Sequence, residues 1–201
     1  MKRVVIGLVG PISSGKGFLG EYLRRNGFFY ISTSDRVRDE AGRRGVGKTR
    51  DNLQNIGNEL RENFGVTVLV ERCLELIPDE AGLIVIDGMR NPGEVRFVKE
   101  QMGGSIIGVD APAELRLKWY LGRGKRRGED GISEEDFWRA NNRDLGRGEN
   151  SLGQQGSATF LMSDRVIFND GSDRMMRECE GWLREKFGIE LEGKRHRSKE
   201  G

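Results

Sequence analysis

The sequence predicts an α/β protein with a sheet of about five parallel strands and helices on both faces. Short β-branched runs alternate with longer helical patterns along the 201 residues, which is the order of strand–helix–strand units. Nearly continuous apolar runs, such as residues 83–86 (LIVI), indicate strands that are covered on both faces. A chain of this length suits one domain better than two.

Five short segments rich in β-branched and other apolar residues are the strand candidates. They are residues 4–9, 28–31, 83–86, 105–109 and 165–168. The segments between and after them have helical periodicity. They are residues 15–25, 34–43, 50–63, 66–76, 92–101, 113–121, 133–145 and 172–187. We expect Thr33 or Ser34 to cap the helix that begins near residue 34.

Two stretches interrupt this alternation and are expected to be mobile inserts within a domain that spans residues 1–190. Residues 34–64 hold two polar helices where a single crossover would suffice, and residues 122–149 form a charged segment with several glycines. Residues 193–201 (GKRHRSKEG) carry no apolar side chain. We therefore expect a basic, disordered tail over 191–201, with a docking role for it as the alternative.

The composition limits the classes of partner. Lys and Arg number 34 against 32 Asp and Glu, so a global basic field is absent and nucleic acid is not an expected partner. Cys73 and Cys179 lie far apart, which suggests buried thiols in a reducing compartment. The opening segment lacks the features of a signal peptide, and no window is apolar enough to span a membrane. We expect a soluble, cytoplasmic protein, and the sequence does not predict its oligomeric state.

A phosphate-binding loop is indicated between the first predicted strand and the first predicted helix. Its residues are Gly10, Pro11, Ile12, Ser13, Ser14, Gly15, Lys16 and Gly17. Glycine lets successive N–H groups face a β-phosphate, while Lys16 can reach the oxygens between the β- and γ-phosphates. Gly17 stands where Ser or Thr would offer a hydroxyl to Mg²⁺, so we do not expect the loop to ligate the metal directly.

The GKG sequence of this loop resembles that of adenylate kinases and their relatives, in which Mg²⁺ is held largely through water. Those relatives usually have Thr where this chain has Phe18. The segment ISTSDRVR at residues 31–38 resembles the start of their acceptor-binding flap. The resemblance implies that Thr33 and Arg38 contact an acceptor nucleotide, and an arginine can bind an α-phosphate through two hydrogen bonds.

A carboxylate and an arginine follow the apolar run 83–86. The segment Asp87-Gly88-Met89-Arg90 resembles the Asp-Gly…Arg segment of nucleoside monophosphate kinases. The resemblance implies that Asp87 faces Mg²⁺ through water and that Arg90 faces the acceptor phosphate. Its compact spacing resembles adenylate-kinase-like and dephospho-CoA-kinase-like proteins of archaea and bacteria.

The segment LGRGKRRGED at residues 121–130 resembles the arginine-bearing lid of these kinases. Such a lid brings positive charge to the transferring phosphoryl group, and Arg123 and Arg127 are the candidates, with Arg143 as a third. A solvated charge run is the alternative. Residues 164–172 resemble the last strand and adenine-side loop of dephospho-CoA kinases, which implies that Gly171 contacts ATP together with the phosphate loop and Phe18.

The resemblance covers roughly residues 1–189. It implies an ATP- and Mg²⁺-dependent kinase that phosphorylates a nucleoside or deoxynucleoside monophosphate, with catalytic residues Lys16, Asp87, Arg90, Arg123 and Arg127. Dephospho-CoA kinase is the alternative, in which Asp35 would be the base for a ribose hydroxyl. An adenylate-kinase-like regulatory ATPase acting on a macromolecular partner is a third hypothesis. The only histidine, His196, lies in the polar tail, which excludes histidine-based mechanisms from the core.

Overall fold

The computed structural model describes residues 3–127, 131 and 133–191, without the side chains of residues 125–127. The strands are β1 (Val4–Val9), β2 (Phe29–Ser32), β3 (Leu83–Asp87), β4 (Ser105–Asp110) and β5 (Arg165–Phe168). The helices are α1 (Lys16–Arg25), α2 (Thr33–Arg43), α3 (Arg50–Phe64), α4 (Val68–Leu74), α5 (Pro92–Glu100), α6 (Ala113–Arg127), α7 (Glu134–Asp144), α8 (Gly156–Leu161) and α9 (Arg174–Phe187).

All five strands are parallel and lie in the order β2-β3-β1-β4-β5. The central strand β1 pairs with β3 on one side and β4 on the other. The carboxyl ends of the strands therefore share one edge, and the crevice beside β1 at that edge is the usual binding place in open α/β sheets. The predicted fold, a five-stranded parallel sheet with helices on both faces, is confirmed.

Each face of the sheet has its own apolar core. On one face Leu8 packs with α1 and α9, and on the other Val5 packs with α4 and α5. The two free cysteines, Cys73 and Cys179, lie in opposite cores. Burial raises the pKa of both thiols to about 12, so both stay protonated and unreactive near neutral pH.

Helices α2 and α3, which make up most of the insert predicted over 34–64, pack against α4 through a separate small core. It contains Val37, Ala41, Leu53, Ile56, Leu60, Val68 and Leu69. A buried ion pair joins α3 to α5, since Arg61 Nε lies 2.8 Å from Glu94 Oε1. The insert thus has its own packing, and the Arg61–Glu94 pair is one of several polar contacts that join it to the rest of the domain. Its predicted motion stays a prediction.

Several predicted boundaries differ from the structure. Helix α6 continues six residues past its predicted end at 121, because Tyr120 packs against Phe137 of α7 and the two glycines in that extension cost a helix only about 1 kcal/mol each. Helix α8 was not predicted, since its six residues carry too little periodicity. The cap of α2 is Ser32 rather than Thr33 or Ser34, because the Ser32 side chain accepts from the Ser34 N–H.

Parts of two predicted segments lie outside the described residues. These are residues 128–130 and 132 of the predicted lid and residues 192–201 of the predicted tail. No helix in residues 3–127 or 133–191 is both long enough and apolar enough to cross a membrane.

Candidate active site

The phosphate loop lies between β1 and α1, at the carboxyl edge of the central strand. Two of its glycines adopt backbone angles that L side chains rarely adopt, with φ of 140° at Gly10 and 101° at Gly15. A Cβ atom on Gly10 would lie 2.1 Å from the Val109 carbonyl oxygen, and one on Gly15 would lie 2.1 Å from the Asn169 amide nitrogen. Both positions therefore require glycine for conformation and for space.

The Lys16 ammonium group is folded back onto the loop. Its Nζ donates hydrogen bonds to the carbonyl oxygens of Gly10, 2.7 Å away, and Pro11, 2.9 Å away. Burial, followed by repulsion from the Arg90 guanidinium, lowers the pKa of Lys16 to about 7. A phosphate group at the loop would replace these carbonyls as the partner of Nζ and favour its charged form.

A side chain that follows the edge strand β5 contacts the phosphate loop. Asn169, directly after β5, donates from Nδ2 to the Ser14 carbonyl oxygen at 2.9 Å and accepts at Oδ1 from the Gly171 N–H at 3.1 Å. Gly171 in turn lies beside Trp119, because a Cβ atom added to it would be 3.7 Å from Trp119 Cζ2. The loop after β5 thus ties the phosphate loop to α6, on the side where Gly171 was predicted to contact ATP.

The Asp87 carboxylate lies at the end of β3, facing α1. Its Oδ2 accepts a hydrogen bond from the Tyr30 hydroxyl at 2.8 Å, and a Cβ atom on Gly17 would lie 3.9 Å from the same oxygen. Asp87 Oδ1 is buried and has no hydrogen-bond partner within the described part of the chain. Burial and the neighbouring Asp87 charge raise the pKa of Tyr30, so its hydroxyl remains a donor.

This environment fits Mg²⁺ held through water. Among the described residues no group of three or more His, Cys, Asp or Glu side chains could hold a metal ion directly. A single carboxylate with an unused oxygen, facing the start of α1, suits a water of the Mg²⁺ shell, since Mg²⁺ usually keeps several waters beside substrate phosphates. Asp87 is therefore the residue that would hold the ion through water, and this role stays a prediction.

Arginines gather at the other end of the site, where α2 and α3 begin. Arg38 pairs with Asp35 on the same helix at 2.9 Å, and Arg90 donates to the buried carboxylate of Asp144 at the end of α7. Arg50, at the start of α3, also lines the cleft. Thr33 is buried and donates its hydroxyl proton to the Gly88 carbonyl oxygen at 2.7 Å.

Two arginines of α6 donate hydrogen bonds to the phosphate loop. Arg123 donates to the Ser13 hydroxyl at 3.2 Å. Arg116, which the sequence analysis did not select, is buried and donates to the Ile12 carbonyl oxygen at 3.3 Å. Arg143 instead pairs with Glu149 away from the cleft, and the Arg127 side chain lies outside the described residues.

A single cleft of about 1100 Å³ contains most of the predicted site residues. The predicted residues that line it are Ile12, Ser13, Ser14, Gly15, Lys16, Gly17, Phe18, Asp35, Arg38, Asp87, Arg90, Arg123 and Gly171. Gly10 and Pro11 instead form the base of the loop and bind Lys16, while Thr33 lines only a smaller pocket beside the cleft. Further lining residues that the sequence did not predict include Tyr30, Arg50, Trp119 and Asn169.

Comparison with known proteins places this geometry in a family. The model of the AAA domain matches residues 6–139. A UPF0200 protein of Pyrococcus horikoshii is 31% identical over 173 residues, which cover 83% of this chain and 88% of that protein. A UPF0200 protein of Hyperthermus butylicus is 34% identical over 169 residues, with coverage of 84% and 86%. The chain belongs to the UPF0200 family and carries an AAA domain.

Not every relative has the same length. A UPF0200/UPF0201 protein of Archaeoglobus fulgidus is 32% identical over 177 residues, and the chain spans about half of it, 52% of its length. Solved structures similar to this UPF0200 protein share its fold. Shikimate kinase of Acinetobacter baumannii, in complex with shikimate, has a TM-score of 0.56 at 16% identity, with coverage of 91% of this chain and 94% of that one.

A second shikimate kinase, from Aquifex aeolicus, has a TM-score of 0.51 at 18% identity, with coverage of 92% and 99%. At these identities the likeness concerns the fold alone. The UPF0200 protein therefore has a P-loop kinase fold, in agreement with the fold expected from its phosphate loop.

Proposed function

We propose that this UPF0200 protein transfers the γ-phosphate of ATP to a nucleoside or deoxynucleoside monophosphate. The supporting observation is that one cleft holds Lys16 of the phosphate loop at one end and the arginines Arg38 and Arg90 at the other. Asp87 is the last residue of β3, which lies in the sheet between β1, the strand before the phosphate loop, and β2, the strand before α2. Two phosphate-binding regions thus flank one carboxylate.

Positioning and charge supply most of the catalysis in phosphoryl transfer. The N–H groups at the start of α1 would bind the β-phosphate, and Lys16 would exchange its carbonyl partners for phosphate oxygens. Mg²⁺ bound with ATP neutralises charge on the phosphates, and Asp87 would hold it through water. Arg123, already beside Ser13 of the loop, would stabilise the charge of the transferring group.

The acceptor in this proposal needs no strong base. A phosphate monoester has a second pKa of about 6, so its oxygens are already anionic at neutral pH. Asp35, the carboxylate that would serve as the base for a ribose hydroxyl, is paired with Arg38. This arrangement favours a phosphate acceptor over a ribose hydroxyl, and so disfavours dephospho-CoA as the substrate.

The arginines at the acceptor end of the cleft also distinguish the proposed kinase from the third hypothesis, a regulatory ATPase. A regulatory ATPase would hydrolyse ATP without a small acceptor, and its arginines would have no phosphate to bind at the α2 and α3 end of the cleft. The free, buried thiols Cys73 and Cys179 fit a reducing compartment, which supports a cytoplasmic location. We therefore propose a cytoplasmic nucleotide kinase rather than an ATPase.

The test is ADP release with ATP and Mg²⁺ in the presence of each nucleoside monophosphate, each deoxy form and dephospho-CoA in turn. We expect release that depends on a monophosphate, and Lys16→Ala should lower it about 100-fold or more while the protein remains folded. Release that is equal with and without every acceptor would contradict the proposal and favour the ATPase. Release with dephospho-CoA alone would favour the alternative kinase.

A further inference from the structure

A second, smaller pocket of about 50 Å³ opens beside the arginine end of the cleft. Its walls include residues of α2 and α3, the two helices of the insert. Five residues line both the cleft and this pocket, namely Ser34, Arg38, Arg50, Gly88 and Arg90. A nucleotide whose phosphate met these arginines would therefore have its remaining part directed toward the smaller pocket.

Three polar side chains in the pocket wall have unused hydrogen-bonding atoms. Gln54 Oε1, Asp144 Oδ2 and Gln154 Nε2 are buried and have no partner within the described residues. All three residues are more than nine-tenths buried. The orientation of the Gln54 amide follows from its Nε2, which donates to the Ala140 carbonyl oxygen at 3.4 Å. These three unused atoms are two acceptors and one donor. Leaving them without hydrogen bonds costs free energy until a ligand binds to them.

Three apolar side chains form another part of the wall, beside polar residues that include Thr33 and Arg61. Val37, Leu53 and Leu69 line the pocket and belong to the small core of the insert. Apolar side chains next to a few hydrogen-bonding atoms suit a flat heteroaromatic ring, whose faces are apolar and whose edge forms hydrogen bonds. A sugar, which is polar on all sides, would leave hydroxyl groups unsatisfied against the three apolar side chains.

We propose that this pocket binds the base of the acceptor nucleotide and selects guanine. The inference rests on the proposed function, because it concerns the acceptor of that reaction. Guanine presents two N–H donor groups and one carbonyl oxygen on its pairing edge, which match Gln54 Oε1, Asp144 Oδ2 and Gln154 Nε2. Adenine and cytosine each present one donor group there, and uracil presents one donor between two acceptors, so each would leave a wall acceptor unsatisfied.

The pocket must widen to admit a base, because its volume is close to that of one or two water molecules. The α3 wall contains Gly57, where an added Cβ atom would lie 3.6 Å from Val37 Cγ2 and 3.7 Å from Arg61 Nη1. A methyl group at this position fits without overlap, whereas a longer side chain would enter the pocket. Gly57→Leu is therefore a blocking variant and Gly57→Ala its matched control, which also improves helix propensity.

The test compares equilibrium binding of GMP and IMP by calorimetry, because IMP is the same nucleotide without the 2-amino group. We expect the wild-type protein to bind GMP at least about 10-fold more tightly than IMP. Gln154→Leu should weaken GMP and IMP alike by about 10-fold, since both carry the carbonyl oxygen. Gly57→Leu should abolish the preference for GMP over IMP. Gly57→Ala should keep a larger preference than Gly57→Leu does.

Gln54→Leu should weaken binding of GMP. Gln101→Leu, at the exposed C-terminal cap of α5, should change the binding of neither nucleotide. Circular dichroism and melting curves would confirm that each variant folds. Equal binding of GMP and IMP by the wild-type protein would overturn the proposal, as would full GMP affinity in both glutamine variants. Equal transfer rates to all monophosphates would also overturn it while leaving the proposed kinase function intact. A GMP preference without transfer would support the pocket and contradict the kinase.

Discussion

The Tyr30 hydroxyl donates a hydrogen bond to Asp87 Oδ2 across 2.8 Å, between the neighbouring strands β2 and β3. The bond orients the carboxylate at the centre of the cleft and leaves its Oδ1 without a partner in the described structure. At position 17 the phosphate loop has glycine in place of a hydroxyl side chain. Tyr30 thus supplies a hydroxyl beside the carboxylate that is predicted to hold Mg²⁺ through water, and it comes from another strand.

Tyr30→Phe tests this role. Loss of the hydroxyl should lower kcat by about 10-fold and raise the Mg²⁺ concentration needed for half-maximal rate, because the carboxylate loses its orienting donor. The measurement is the rate of ADP release as a function of Mg²⁺. Tyr22→Phe is a matched control, since Tyr22 donates to Glu180 outside the cleft. The same Mg²⁺ dependence in both variants would contradict the role of Tyr30.

The lowered pKa of Lys16, about 7, predicts that ATP binding takes up a proton. Above pH 7 the side chain is mostly neutral in the free protein, and bound phosphate favours its charged form. Calorimetry at about pH 8.5 in two buffers of different ionisation enthalpy should give an uptake approaching one proton per ATP. Lys16→Met should take up none, and equal uptake by both proteins would show that another group titrates.

The same pKa predicts a change in stability. An unfolded lysine has a pKa near 10.5, so between pH 7 and 10.5 the unfolded chain binds more protons than the folded chain. The Lys16 contribution to the free energy of unfolding therefore rises with pH across this interval. Lys16→Met should remove that contribution, which denaturant titrations at several pH values would measure.

Arg38 and Arg90 are predicted to bind the acceptor rather than ATP. Arg38→Ala and Arg90→Ala should each raise the acceptor KM by about 10- to 100-fold, because each removes a charged contact to its phosphate. ATP affinity, measured separately, should change little. Arg43→Ala, on the exposed side of α2, is the control and should change neither constant. A loss of ATP affinity with an unchanged acceptor KM would reverse the assignment of the two ends of the cleft.

Asn169 is predicted to hold the phosphate loop in its binding conformation. Asn169→Ala removes the donor to the Ser14 carbonyl oxygen, so ATP affinity should fall by about 10-fold and stability by about 1 kcal/mol. Asn26→Ala is a matched control, since Asn26 also donates to a backbone carbonyl oxygen, that of Tyr22, at the other end of α1. Equal ATP affinity in the two variants would contradict a role in the loop.

The segment 122–149 is predicted to close when both substrates are bound, as the sequence suggested. A bisubstrate analogue should protect this segment from hydrogen exchange more than ATP alone does, while α9 should serve as an internal reference. Arg123→Ala and Arg127→Ala should lower kcat with a smaller effect on ATP affinity. Equal exchange in the free and doubly bound protein, with normal turnover in both variants, would show that the arginines are only solvated surface charges.

Local patterns were sufficient to predict the sheet and the phosphate loop. The run 83–86 is apolar because its residues pack into the cores on both faces of the sheet, and the phosphate loop has Gly10 and Gly15 where the backbone φ is positive. Both signals are contained within a few consecutive residues. They predict the class of fold and one end of the site without any knowledge of the strand order.

Contacts between distant residues could not be predicted in this way. Asn169 and Ser14 are 155 residues apart, and Tyr30 and Asp87 are 57 apart, so only the strand order brings each pair together. Neither asparagine after a strand nor tyrosine within one has a distinctive pattern. The cap at Ser32 was missed for a smaller reason, since three consecutive hydroxyl residues at 32–34 satisfy the same cap preference.

The central claim is that phosphate moves from ATP to the phosphate of a nucleotide, and ³¹P nuclear magnetic resonance of the reaction mixture tests it most directly. With ATP, Mg²⁺ and a nucleoside monophosphate, we expect ADP and the nucleoside diphosphate to appear in equal amounts, and Lys16→Ala to form neither at a comparable rate. Formation of ADP and inorganic phosphate at the same rate with or without the monophosphate would contradict the account.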